Sequence, residues 1–311
     1  MILTVTVNPC VDKSSSVEKI EPDSKLRCSA ILNEPGGGGI NVSKALKKLG
    51  LSGMALFPAG GHNGNMLIAL LEAGGIPFHA IDTNTETREN WVMMTTKSHQ
   101  QYRFTFPGLA IEEDKVNQLI SALRPFRPSF VVASGSLPVG LPASFYGSIV
   151  DEASICGARC IVDTSGPALK ALKGKKTYLV KPNIGELCSL LDAPRLEKAE
   201  VPAAALRAID EGYAEMIAVS MGADGAWLVS KAGSYFCEVP EVDKRSTVGA
   251  GDSMVAGMLY MLQQNATPEE VLKFGVACGT AATMNEGTQL FNKDDAFRLF
   301  HEMGGSPGIH F

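Results

Sequence analysis

The sequence predicts a three-layer α/β/α domain, in which a mostly parallel central sheet is covered by helices on both faces and a small β-sheet lid projects from one edge. Three observations carry this reading. Strand-like apolar runs alternate with helix-periodic runs over most of the chain. Two stretches, near 14–33 and 88–106, break the alternation with patterns that are β only. A glycine turn, Ser246-Thr-Val-Gly-Ala-Gly-Asp252, feeds straight into an apolar helical run at Met254, Val255, Met258, Leu259 and Leu262. Strand–helix alternation argues a parallel sheet with helices on both faces, and such sheets bind ligands at the carboxyl ends of their strands.

In chain order, residues 2–7 read as a buried strand, and Asn8-Pro9-Cys10-Val11-Asp12 as a loop leaving its end. After residues 14–33, which show no helical period, comes Glu34-Pro-Gly-Gly-Gly-Gly-Ile-Asn41. Val42, Ala45, Leu46 and Leu49 then mark one face of a helix that Gly50 ends. A strand at 54–57, a helix at 64–73 closed by Gly74-Gly75, and a strand at 76–81 follow. Residues 91–96 and 101–106 form a hairpin around Ser98-His99. Helix 113–123, strand 129–134, helix 143–156, strand 159–163, helix 167–173, strand 177–181 and helix 184–191 restore the rhythm. Helix 202–211, strand 216–220, a hairpin over 225–238 and helices at 251–264, 268–285 and 293–303 complete the chain. The expected organisation is one domain over 1–311, with a lid built from about 13–35 and 87–107. A projecting sheet has exposed edges, which invites a second subunit.

Composition narrows the function. A net charge of −5 speaks against nucleic-acid binding, which favours a basic excess. No run approaches the ~18 apolar residues of a membrane span, and the N-terminal Met1-Ile-Leu-Thr-Val-Thr-Val7 lacks the basic flank and cleavage site of a signal peptide. The seven cysteines include no Cys-x-x-Cys pair, so free thiols in a reducing cytoplasm are expected. Neither Gly-x-x-x-x-Gly-Lys-Ser/Thr nor a strand–Gly-x-Gly-x-x-Gly–helix unit occurs, which disfavours a dinucleotide-dependent dehydrogenase.

What remains points to anions and hydroxyls. At Gly249-Ala250-Gly251-Asp252 a helix N-terminus offers unpartnered amides and a positive dipole end to an anion, and the glycines let it approach. A carboxylate in that first turn suits phosphoryl transfer, the amides stabilising charge and Asp252 taking a proton from an attacking hydroxyl. A capped helix after a tight turn explains the same string without chemistry. The glycines at 36–39 lead into a second helix with Asn41 in its first turn, a second anion or sugar site. Asp12 stands past the end of the first strand, where a carboxylate can accept from sugar hydroxyls. Lys25, Arg27, Arg88 and Arg103 are among the basic residues of the β interruptions; Arg27 reads as surface charge, while arginine forks on a flap suit phosphate. Lys181-Pro-Asn-Ile-Gly-Glu186 ends a strand and opens a helix. Asn183 and Glu186 there either hold a hydrated Mg²⁺ or form a capping box. Ser220-Met-Gly-Ala-Asp-Gly225 is a turn after a strand.

In their order and spacing, these stretches resemble the ribokinase/PfkB family of sugar kinases from residue 1 to about 303. The stretches 25–28, 34–42, 57–61, 101–104, 134–138 and 246–254 resemble its phosphofructokinase branch in particular. The resemblance implies a ribokinase-like core and ATP-dependent phosphorylation of a hexose phosphate, D-fructose 6-phosphate before tagatose 6-phosphate or fructose 1-phosphate. Gly38 stands where many relatives carry a lysine, which supports that order. A non-catalytic sugar-phosphate or nucleotide sensor on the same scaffold is the competing class, and the intact Asp252 argues against it. The implied roles are Asp252 as base and Gly249, Ala250 and Gly251 as anion hole. Asp12, Gly37, Gly38, Asn41 and Ser136 would contact the sugar, and Arg88, Arg103 and Lys25 its phosphate. Lys181, Asn183, Glu186, Ser220, Gly222, Gly225, Val276 and Thr280 would serve ATP and Mg²⁺, with Asn183 and Glu186 ordering water around the metal. Ser246, Val248, Ala282, Asn285, Gly287 and Gln289 match a monovalent-cation loop, with K⁺ the candidate. A homodimer through the lid is also implied.

Overall fold

A computed structural model describes residues 1–285, 287 and 289–305. The first part of the chain runs β1 (Ile2–Val5), β2 (Cys10–Val17), β3 (Leu32–Gly36), α1 (Gly38–Lys48), β4 (Gly53–Ala59), α2 (Gly61–Ala73) and β5 (Phe78–Asp82). It continues with β6 (Arg88–Thr95), β7 (Gln101–Thr105), α3 (Glu113–Ser121), α4 (Leu123–Phe126), β8 (Phe130–Ser134), α5 (Phe145–Ile155), β9 (Arg159–Asp163) and α6 (Gly166–Lys170). Then come β10 (Leu179–Val180), α7 (Ile184–Leu190), α8 (Val201–Asp210), β11 (Met216–Ser220), β12 (Ala226–Ser230) and β13 (Gly233–Cys237). Three helices close the chain, α9 (Ala250–Gln263), α10 (Pro268–Thr283) and α11 (Lys293–Glu302).

The central sheet has nine strands in the order β13-β12-β11-β10-β9-β8-β1-β4-β5. Pairing is parallel from β5 to β11, and only β12 and β13 join antiparallel. The three layers follow from side-chain alternation. Ile2, Phe130, Val132, Ile161 and Leu179 point into a core shared with α1, α9, α10 and α11. Their neighbours Leu3, Val131, Ala133, Cys160, Val162 and Val180 point into the opposite core, under α3, α5, α6, α7 and α8. Ten consecutive residues of α9, Ser253 to Leu262, are buried. That burial fixes the helix whose N-terminus carries the glycine turn.

The two β interruptions pair as expected, into a separate four-stranded sheet ordered β3-β2-β6-β7. The lid differs from expectation in one respect that matters. Asp12 is not in a loop: β2 begins at Cys10, directly after the Pro9 turn, and pairs in parallel with β6 over eight residues. Cys10 and Val11 are strand rather than loop because they pair with Gly36 and Pro35 on one side and with Arg88 and Glu89 on the other. Asp12 therefore rides on the lid sheet. Smaller differences lie at element ends. The strand expected over 177–181 contracts to β10, and the helix expected over 113–123 stops at Ser121 and resumes as α4.

Candidate active site

The last residues of adjacent parallel strands supply the floor of the site. Ser134 ends β8, Asp163 ends β9, Lys181 follows β10 and Ser220 ends β11. Above this edge α9 begins. Gly249 is its N-cap with φ 72°, a left-handed conformation that only glycine adopts without strain. The turn starts α9 beside the strand ends and sets Asp252 in its first turn. Asn41 Nδ2 donates to Asp252 Oδ2 at 3.0 Å, and Ser134 Oγ donates to Oδ1 at 3.4 Å. Burial and the negative charge of Asp163 push the Asp252 carboxyl up to about 6, against the hydrogen bonds of Asn41 and Ser134 and the charge of Lys181. A carboxyl at that value is ionised at neutral pH yet still a usable proton acceptor.

Lys181 and Asp163 form a buried ion pair, Nζ to Oδ1 3.3 Å, beneath the glycine turn. A methyl group added at Gly251 would lie 3.4 Å from Lys181 Nζ and 3.8 Å from Asp163 Oδ2, so the pair underlies the glycine-turn backbone. Burial opposes the Lys181 charge, but Asp163, Glu186 and Asp252 outweigh it and hold the ammonium above its ordinary value. Burial raises Asp163 in turn.

On one side of Asp252 lies a cavity of about 230 Å³, lined by Ser220, Gly222, Gly225, Ala250, Gly251, Val276 and Thr280. Met254, Val239 and Ala226 add apolar walls. All five residues expected to line the nucleotide in the 220–225 turn and α10 are here. Asn183 and Glu186, by contrast, engage each other as a capping box at the start of α7. Glu186 N donates to Asn183 Oδ1 at 2.9 Å and Asn183 N to Glu186 Oε2 at 2.8 Å. Burial holds the Glu186 carboxyl above its usual range, and the charge of Asp163 acts in the same direction.

On the other side the lid overhangs α1. Asn41 is buried; its Nδ2 is committed to Asp252, and its Oδ1 is a buried acceptor with no hydrogen-bond partner. Gly38 lies against the chain at β8: an added Cβ would sit 2.2 Å from Ser134 Oγ, so no side chain fits there. Gly37 precedes α1 as its N-cap. Arg88 and Ser136 line an open cleft of about 500 Å³ with Asn8, Asn90 and Phe106. Arg103 is not in that cleft: its Nη2 donates to Thr247 Oγ1 at 3.4 Å, beside the glycine turn. Lys25 is exposed in the segment between β2 and β3.

The proposed cation loop is strapped together. Arg245 N and Ser246 N both donate to Thr283 O, at 2.8 and 3.2 Å, and Ser246 Oγ donates to Gly287 O at 3.3 Å. Val248 N donates to Ser246 Oγ at 3.2 Å, and Asn285 N to Ala282 O at 3.3 Å. Gln289 lies apart from these bonds, on the rim of a cavity under the lid.

Sequence reasoning passed over Asn8, Asn90, Ser134 and Asp163 as site residues. Ser134 and Asp163 carried a usable signal, since each is the polar last residue of a predicted parallel strand. Asn90 carried none until the register of β2 on β6 was known.

Comparison with known proteins agrees with this geometry. A family model described as pfkB family carbohydrate kinase matches residues 3–295. The ATP-dependent 6-phosphofructokinase isozyme 2 of Escherichia coli (strain K12) is 40% identical over 301 residues, covering 96% of this chain and 97% of that protein. A crystal structure of phosphofructokinase-2 from Escherichia coli in complex with potassium superposes with a TM-score of 0.94 at 40% identity, covering 97% of this chain and 99% of the other. The complex of phosphofructokinase-2 from Escherichia coli with fructose-6-phosphate superposes at 0.91 with 38% identity and the same coverage. The chain belongs to the pfkB family of carbohydrate kinases.

Proposed function

We propose that this chain transfers the γ-phosphoryl group of ATP to the 1-hydroxyl of D-fructose 6-phosphate, giving fructose 1,6-bisphosphate and ADP. One observation carries the reading: at the N-terminus of α9 the Asp252 carboxylate is held by Asn41 Nδ2 and Ser134 Oγ, next to Gly251 on the wall of the apolar, glycine-edged cavity. Asn41, Asp12 and the Gly37-Gly38 backbone would hold the sugar hydroxyls, and Arg88 with Ser136 its phosphate. Asn41 and Ser134 orient the Asp252 carboxylate, which takes the proton of the attacking hydroxyl. The amides of Gly249, Ala250 and Gly251 face the charge that spreads over the transferring group, and the α9 dipole adds to them. Lys181 sits close enough to contribute positive charge, while Asp163 keeps it protonated.

Mg²⁺ would neutralise phosphate charge and hold the nucleotide in line. Among the described residues no cluster of three His, Cys, Asp or Glu could hold a metal directly. The donor set fits a largely hydrated ion instead, with Glu186 as the carboxylate and Asn183 orienting it through the capping box. For K⁺, the carbonyls of Ser246, Val248, Ala282, Asn285 and Gly287 would provide oxygen donors beside the glycine turn. The exposed apolar residues of the lid, among them Leu32 and Phe104, support a homodimer formed through it.

A coupled assay of ADP release tests the reading, with fructose 6-phosphate, tagatose 6-phosphate, fructose 1-phosphate and fructose side by side. Turnover with fructose 6-phosphate at a kcat/KM well above the other three is expected. No ADP release with any sugar phosphate would favour the sensor reading, and preference for fructose 1-phosphate would move the phosphate grip elsewhere.

A further inference from the structure

The lid sheet carries a square of four side chains that the expected site only half contains. In the β2–β6 ladder Cys10 stands opposite Arg88, and Asp12 opposite Asn90. Residues two apart on a strand share a face, and so do partners across a parallel ladder. Cys10, Asp12, Arg88 and Asn90 therefore project together. Asn90 is the corner that touches the other three. Its Nδ2 donates to Asp12 Oδ1 at 2.9 Å and to Cys10 Sγ at 3.2 Å. Its Oδ1 accepts from Arg88 Nη1 at 2.8 Å and from Phe106 N at 3.4 Å.

Both ends of the amide are thus committed, and in a matched sense: oxygen to the cation, N–H to the carboxylate. The rest of the square agrees. Cys10 Sγ donates to Asp12 Oδ1 at 3.2 Å. Arg88 Nε and Nη2 both donate to Asn8 O, at 3.3 and 3.1 Å, and Nη1 also donates to Phe106 O at 3.2 Å. Four of the five N–H groups of a guanidinium are held by protein, so Arg88 cannot search for its ligand. It presents a fixed charge to the cleft it lines with Asn90 and Ser136.

We infer that Asn90 is a positioning residue that holds the hydroxyl-binding carboxylate Asp12 and the phosphate-binding guanidinium Arg88 at a fixed spacing, so that the lid measures the length of a sugar phosphate. The inference rests on the sugar site proposed above. Asn90 works as a neutral spacer. Asp12 and Arg88 are diagonal neighbours of opposite charge, and without the amide between them the Nη1 N–H of Arg88 that it held is released toward Asp12. Pairing through it would consume both groups before substrate arrives. Aspartate at position 90 is nearly isosteric and still pairs with Arg88, yet it turns an oxygen toward Asp12 where an N–H is needed. Alanine removes both links.

The test is a double-mutant cycle read in steady-state kinetics. Asn90→Ala is expected to raise KM for fructose 6-phosphate by about tenfold, the scale of coupling between contacting groups, with KM for ATP within about twofold of wild type. The unchanged ATP value also reports an intact fold. Asn90→Asp is expected to match Asn90→Ala despite its similar size. Arg88→Ala alone should raise the same KM, and adding Asn90→Ala to it should cost little more, because the spacer then has nothing to hold apart. Multiplicative effects in the double variant, or a normal KM for Asn90→Ala beside a raised KM for Arg88→Ala, would overturn the inference and leave the site intact. An unchanged KM in Arg88→Ala would overturn the sugar site and the inference with it.

Discussion

If Asp252 is the base, the acid limb of the rate profile belongs to its carboxyl, and its neighbours should move that limb in opposite directions. With the carboxyl pushed up to about 6, the ionised fraction is about nine-tenths at pH 7 and about one-tenth at pH 5. The ionisation alone therefore predicts a fall of about tenfold in kcat/KM between those values. Asp163 raises Asp252 and Lys181 lowers it. Asp163→Asn should accordingly shift the limb to lower pH, and Lys181→Met should shift it to higher pH. Sugar phosphates titrate in the same region, with a second phosphate pKa of about 6. That titration is common to every variant, so the displacement between variants isolates the carboxylate. The assay is ADP release at subsaturating fructose 6-phosphate from pH 5 to 9, with an independent check that each variant is folded at every pH. Acid limbs that coincide in all three proteins, or that move together in one direction, would refute this reasoning.

Asp252 should also register in stability. Its folded value lies above its ordinary one, so protonation favours the folded state. That contribution is complete below about pH 4 and is lost as pH rises through about 6. Asp252→Asn should therefore raise Tm at pH 8 relative to wild type and lose the advantage near pH 4. Gly249→Ala places a Cβ at φ 72° and 2.4 Å from Leu290 Cδ2. It should cost about 1–2 kcal/mol in urea unfolding and lower kcat more than it raises the ATP KM. Leu259→Ala opens a void at a fully buried position of α9 and should cost about 2–5 kcal/mol with little change in KM. Phe104→Asp, on the exposed lid strand β7, should yield a monomer in sedimentation velocity if the lid forms the dimer. Retention of the dimer would place the interface elsewhere.

The layered core was legible because its signal is local. The short apolar runs at 129–134 and 216–220 and the 3.6-period face at 254–262 each state their own environment, and the structure returns them within a residue or two. The glycine turn was legible for the same reason, since Gly249 and Asp252 lie within one turn of a helix start. Asp12 was misplaced because a Pro9 turn reads as the start of a loop. Only pairing with β6, more than seventy residues away, makes Cys10 to Val17 a strand. Asn90 was invisible for a related reason, as its role depends on which residue of β2 lies opposite. Asn183 and Glu186 were ambiguous between capping and metal binding, and they do form the capping box, which holds the Glu186 carboxylate on the Asn183 amide. Arg88 and Arg103 look equivalent in sequence but sit on different strands, one in the open cleft with Ser136 and one beside Thr247.

The most direct test of the central claim is the turnover of Asp252→Ala with fructose 6-phosphate and Mg²⁺-ATP, measured at pH 8 beside the affinity of the same protein for ATP. The variant keeps the glycine turn, the apolar cavity and α9, so ATP affinity should stay within a few-fold of wild type, while kcat falls by about 10²–10⁴, the contribution of a positioned general base. Turnover near the wild-type value, with ATP bound normally, would contradict the assignment of Asp252.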